Sequence, residues 1–166
     1  MDRLLEIDQF FASEKTLVGD PIWKVPPDKG RADIVAPLSI NGVVQGRFEL
    51  RASVPIYAPI QSGVVLLLFE RSCVQRLKFR SKGRHVNPGG SHVPRKLRFK
   101  SFHQGGDWVY RWENDRVWPP AFPKGVNVAE LMPSAASDFE EAVSYFFLIS
   151  NIVGTPATAP HEPRFF

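Results

Sequence analysis

Val64-Val65-Leu66-Leu67-Leu68-Phe69 is the longest uninterrupted apolar run in the chain. It falls far short of the roughly 20 residues that cross a bilayer as a helix. It is also too continuous for a strand with one wet face. The run therefore predicts a central strand covered on both sides. Flanking segments supply neighbours for it. Gln75 to Arg80 alternates, with Leu77 and Phe79 inward and Arg76, Lys78 and Arg80 outward. Lys96 to His103 alternates in the same way, with Leu97 and Phe99 inward and Lys96, Arg98 and Lys100 outward. The loop from Ser81 to Pro94 joins them, and the pattern predicts that the two basic segments pair as a hairpin.

Asn41-Gly42 is a strong tight-turn signal. It predicts that Asp33–Ile40 and Val43–Ala52 form another hairpin, with Val44, Phe48 and Leu50 on its inner face. Gln45, Arg47, Glu49 and Arg51 share the outer face, and Gly46 marks a bulge. Gly105-Gly106 predicts a turn before a short strand from Trp108 to Trp112. A helix is expected from Asp2 to Ser13, where Leu4, Ile7 and Phe11 share one face that Leu5 and Phe10 broaden. A second begins at Ser137, whose spacing to Glu140 matches a capping box. Its stripe is Phe139, Val143, Phe146 and Phe147. The 15 prolines among 166 residues, about twice the usual share, argue against a helical bundle. The expected fold is α+β: a curved antiparallel sheet of five to seven strands with an N-terminal and a C-terminal helix. The length suits one domain, expected over residues 1–154, followed by an extended Pro-rich tail over 155–166.

Charge is segregated along the chain. Ten Lys and Arg lie between Arg71 and Gly106, with no Asp or Glu among them. The remaining 11 cations face all 17 acids, a net of −6 outside this block. Like charges opposed across a hairpin repel, and an anionic ligand would relieve them. Nucleic-acid phosphate is the commonest large one. The expected backbone contacts are Arg76, Lys78, Arg80, Lys82, Lys96 and Arg98. The plainer reading is a solvated face whose long stems cover apolar surface.

Lys82-Gly83-Arg84-His85-Val86-Asn87-Pro88-Gly89-Gly90-Ser91-His92 brings two imidazoles beside cations and flexible glycines. Such a pair can take a proton from a ribose 2′-hydroxyl and return one to the leaving oxygen. On this reading His85 and His92 are the acid and base, and Arg84 and Lys100 stabilise the charge on phosphorus. The plainer reading makes Asn-Pro-Gly-Gly a turn with polar residues around it. His103, at the far end of the second basic segment, is placed to bring a third imidazole to the same region, while its parity with Leu97 and Phe99 makes a buried ring the plainer reading. Trp108, Tyr110 and Trp112, with Trp118 and Phe122 nearby, form either core or a stacking platform. Core packing is the default for such a stripe.

No cofactor motif is present, and no metal site is expected. His85, His92 and His103 match no compact ligand spacing and sit amid positive charge. The lone Cys73 cannot form an internal disulfide. The acidic N-terminus lacks the form of a signal peptide, so a cytoplasmic location with no membrane association is expected.

Arg84-His85-x-Asn87-Pro88-Gly89-Gly90-Ser91-His92, the later His103, and Gly106-Asp107-Trp108 resemble a family of small uncharacterised proteins from bacteria and their mobile elements. The resemblance extends to the helix around Phe139 to Asn151 and covers about half the chain. In that family a second histidine follows the His92 equivalent closely, whereas here Val93 and Pro94 intervene. The resemblance implies a prophage, plasmid or defence-related setting rather than a reaction. Together these features predict a mobile-element protein that binds RNA, ahead of DNA, through its basic hairpin, with metal-independent, toxin-like ribonuclease activity as one expectation. The alternative is a non-catalytic anti-defence inhibitor, anti-CRISPR-like, that binds an acidic protein surface or a nucleic-acid channel.

Overall fold

A computed structural model describes residues 2–27, 29–56, 62–117, 125–155 and 158–159. Helix α1 spans Arg3–Ala12; the Asp2 carboxylate caps it by accepting from the Leu4 amide at 3.0 Å. Ile7 and Phe10 are its buried residues, and Phe10 stacks on Phe48 with centroids 3.6 Å apart. Leu5 stays exposed. Strands β1 (Lys15–Leu17), β2 (Arg31–Ala36), β3 (Leu38–Ile40), β4 (Val43–Val44), β5 (Phe48–Pro55), β6 (Gly63–Phe69) and β7 (Ser72–Phe79) follow. Next come the short strands β8 (His85–Val86), β9 (Ser101–Phe102) and β10 (Trp108–Tyr110), then helix α2 (Trp112–Asp115) and strand β11 (Ala129–Leu131). Helix α3 (Phe139–Ile149) and strand β12 (Ile152–Val153) close the order.

The fold is α+β. Its main sheet has six antiparallel strands in the order β11-β10-β7-β6-β5-β2 and is open. The apolar run lies at its centre as expected, with Val65, Leu67 and Phe69 fully buried. Helix α3 packs on β6 and β7 through Phe139, Val143, Phe146 and Phe147. Gly63 permits this approach, since a Cβ there would sit 2.5 Å from the Phe139 ring. A four-stranded sheet, β12-β1-β3-β4, ties the chain ends together through the parallel β1–β12 pair. Among the described residues no helix is long and apolar enough to cross a membrane.

Several expectations need correction. Lys96–His103 is not a strand. Arg95–Leu97 forms a single 3-10 turn, Phe99 takes a left-handed φ of 57°, and only Ser101–Phe102 is extended. The expected basic hairpin is therefore absent: β7 pairs with β6 and β10, while β9 pairs with β8. Val44 is exposed, because β3 and β4 leave the main sheet after Pro37. Asn41 and Gly42 do form the tight turn, with φ of 49° and 77°. Trp112 starts α2 rather than extending the strand. The α3 cap is Asp138, whose carboxylate accepts from the Glu141 amide at 2.8 Å. Glu141 in turn accepts from the amide and hydroxyl of Ser137. The cap is thus one residue later than Ser137, and Glu141 rather than Glu140 reaches back, to Ser137. Most of the tail expected from residue 155 lies outside the described residues, as do Trp118 and Phe122.

Candidate nucleic-acid interface

The region between β7 and β10 folds into a compact knuckle. The β8–β9 pair sets its base, with His85 opposite Phe102 and Val86 opposite Ser101. Asn87 closes it. Its amide donates to the Lys100 carbonyl at 3.0 Å. Its side-chain nitrogen donates to the carbonyls of Leu97 (2.9 Å) and Ala129 (2.8 Å), and its side-chain oxygen accepts from the Ala129 amide at 2.7 Å. Val93, Leu97 and Val128 form a small apolar core beneath it.

The two adjacent glycines are filled from outside. A Cβ on Gly89 would lie 1.9 Å from Phe99 Cζ, and one on Gly90 would lie 2.9 Å from His92 Nδ1. Asn-Pro-Gly-Gly is a turn, and its glycines receive an aromatic ring and an imidazole. Phe99, expected inward, is 71% exposed. Conversely Trp108 and Tyr110 are fully buried, and Trp108 Nε1 donates to the Tyr110 hydroxyl at 3.1 Å. The described part of the aromatic stripe is core, and the exposed aromatic lies in the basic knuckle instead. Alternation hid Phe99 because its left-handed backbone reverses the direction expected of it.

The histidines occupy unlike settings. His85 Nε2 donates to the Asn127 carbonyl at 2.9 Å, which leaves Nδ1 as the unprotonated nitrogen of the neutral ring. The ring meets Tyr110 edge-on at 5.0 Å. Burial, with the Lys78 and Arg76 charges nearby, holds its pKa below the ordinary histidine value against the bonds to Asn127 and Asn87. His92 Nε2 lies 3.7 Å from Asp115 Oδ1. The other carboxylate oxygen of Asp115 accepts from the amides of Asn127 (2.7 Å) and Val128 (2.8 Å). The segment 127–128 thus touches the environment of both rings. His103 is exposed, contrary to the buried position expected of it.

The cations divide into two sets. Arg76 lies over the Tyr110 ring at 4.2 Å and donates to the Val126 carbonyl at 3.4 Å. Arg80 donates to the Ser137 carbonyl, and Arg98 to the carbonyls of Val93 (2.9 Å) and Ser91 (3.2 Å). These three hold structure. Lys78 is half-buried on β7. Lys82, Arg84, Arg95, Lys96 and Lys100 are exposed. Each described arginine outside the basic block pairs with a carboxylate: Arg3, Arg31, Arg47, Arg51, Arg111 and Arg116. Within the block, Arg71, Arg76, Arg80, Arg84, Arg95 and Arg98 form no such pair among the described residues. Cys73 is buried and its thiol is pushed up to about 11 by that burial, so it is a poor nucleophile.

In comparison with known proteins, the chain matches no family model, no curated protein and no solved structure.

Proposed function

We propose that the knuckle binds single-stranded RNA, with Arg84, Arg95, Lys96 and Lys100 meeting phosphates and Phe99 stacking on a base. One observation carries this reading: arginines are ion-paired elsewhere in the described chain and unpaired in the basic block, so their charge is left for an outside anion. The exposed Phe99 ring among those cations favours an unpaired strand, whose bases are free to stack. Lys82 extends the cationic surface toward β7, and Lys78 adds its charge beneath. Arg76, Arg80 and Arg98 support the surface rather than touch the strand.

The test is binding of a labelled oligouridylate to the wild type and to Lys96→Glu/Lys100→Glu, followed by fluorescence anisotropy. The reading expects the charge reversal to lower affinity by about 100-fold, since two attractive contacts become repulsive. Equal affinity would overturn it. Capture of an acidic protein with no RNA binding at low salt would move the anti-defence inhibitor reading ahead.

Cleavage is a second reading, favoured by the His92–Asp115 contact. A carboxylate fixed by two amides beside an exposed imidazole is an arrangement suited to proton transfer. In this reading the 2′-oxygen attacks phosphorus, the bond to the 5′-oxygen breaks, and a 2′,3′-cyclic phosphate forms. One imidazole takes the 2′-hydroxyl proton and the other protonates the leaving oxygen. His92 and His85, through its free Nδ1, are the pair available, with Arg84 and Lys100 on the phosphate. Cyclic-phosphate product in EDTA, lost in His92→Ala, is the expected result. A folded His85→Ala/His92→Ala protein with unchanged cleavage would remove this reading.

A further inference from the structure

A cleft of about 540 Å³ opens at one end of the main sheet, beside the start of the knuckle at Ser81, Lys82 and Gly83. That volume lies in the range of small-ligand sites, roughly 300–1,000 Å³. The register explains how it forms. Arg31 at the start of β2 is opposite Pro55 at the end of β5, and Gly63 at the start of β6 is opposite Phe79 at the end of β7. Four strand ends therefore stand side by side, about 14 Å across at the usual strand spacing. They bring Lys29, Arg31 and Lys82 to one hollow beside the stem of Lys78, whose ammonium lies 5.8 Å from the Tyr110 ring, and no carboxylate lines it among the described residues. Asp33 takes one edge of the Arg31 guanidinium at 3.3 Å, which still leaves the hollow strongly cationic. Ser53 and Ser62 add hydroxyls, and the half-buried Val64 gives it an apolar wall.

We propose that this cleft binds a phosphomonoester of mononucleotide size. Three cations exceed what a single carboxylate would neutralise, whereas a phosphate dianion offers two charges and three acceptor oxygens. The hydroxyls can donate to those oxygens, and the volume beyond the cations accommodates the body of the ligand. Two sources share this chemistry: a free mononucleotide and the phosphorylated end of an RNA chain. The site adjoins the proposed RNA-binding surface at Lys82 and is told apart from it by Lys29 and Arg31, which take no part in the knuckle.

The experiment follows backbone amide shifts by NMR and affinity by calorimetry. The probes are inorganic phosphate, adenosine 5′-monophosphate, adenosine, and an oligoribonucleotide with a 5′-phosphate or a 5′-hydroxyl. Phosphate and the monophosphate are expected to shift the amides of Gly30, Gly63 and Gly83, while adenosine leaves them in place. Lys29→Glu/Arg31→Gln should weaken monophosphate binding about tenfold or more and leave the knuckle's affinity for 5′-hydroxyl RNA unchanged. A 5′-phosphate that tightens RNA binding only when Lys29 and Arg31 are present assigns the RNA end as the source. Monophosphate binding with no such gain assigns the free nucleotide. No shift at the three glycines, shifts confined to residues 84–100, or wild-type affinity in the double variant would overturn the proposal.

Discussion

The Phe99 ring occupies the space that a side chain at Gly89 would need, with Cζ only 1.9 Å from the position of its Cβ. The two residues are ten apart in sequence, and the 3-10 turn with the left-handed Phe99 backbone brings them together. Gly89→Ala must therefore displace the ring or the loop. Because the ring is mostly exposed and can swing aside, the stability cost should stay within about 1 kcal/mol. Denaturant unfolding should show only that small change, while the displaced ring should make the variant bind RNA more weakly than the wild type. Phe99→Ala should change stability little, because the ring is mostly exposed. It should cost about 1–3 kcal/mol of RNA affinity if a base stacks on it.

Asn87→Ala should be among the most damaging polar changes in the knuckle. Its side chain satisfies the Leu97 carbonyl and both backbone groups of Ala129, all in a buried setting. Leaving these unsatisfied should cost about 3 kcal/mol or more. Thermal unfolding will measure it, and Asn87→Asp should be no better, because its second oxygen would face the Leu97 and Ala129 carbonyls in a buried setting.

Much of the main sheet was legible in residue patterns, because burial on one face imposes a period of two on β5 and β7. The same pattern misled at Lys96–His103. Pro94 precedes a tight turn there, Arg98 turns back to the carbonyls of Ser91 and Val93, and Phe99 crosses to positive φ. Those are contacts and torsions that spacing does not encode. Charge segregation was visible in sequence, but which arginines hold structure was not, since Arg76, Arg80 and Arg98 are assigned by the carbonyls they reach. Asp115 escaped notice as a partner of His92 because 23 residues separate them. The β1–β12 pair was illegible for a similar reason: two very short segments meet across nearly the whole chain.

The cap of α3 gives a clean comparison between neighbours. Asp138 accepts from the Glu141 amide, so Asp138→Ala should cost about 0.5–2 kcal/mol. Ser137→Ala removes only an exposed hydroxyl contact and should cost less. Phe146→Ala empties a fully buried site and should cost about 3–5 kcal/mol. Urea midpoints of the three variants test this order.

Lys15 makes stability depend on alkaline pH. Its ammonium is buried, donates to the Ser13 carbonyl at 2.8 Å and the Ser150 carbonyl at 2.5 Å, and lies 4.5 Å over the Phe10 ring. Burial lowers its pKa from 10.5 to about 8. Between these values the unfolded chain binds the proton and the folded protein does not, so stability rises with pH through this window. Below pH 8 both states are protonated and this gain is absent. The wild type should therefore gain stability relative to Lys15→Met, by a few kcal/mol, as pH rises from about 8 to 10.5. Paired urea melts across that range would show it. A constant difference would contradict the assignment.

The salt dependence of RNA binding reports how many phosphates the knuckle holds. Four phosphate contacts from Arg84, Arg95, Lys96 and Lys100 predict a slope of log affinity against log salt near −3 for a single strand. Lys96→Glu/Lys100→Glu should flatten that slope by about half. A slope near zero, or one that the double variant leaves unchanged, would contradict the account.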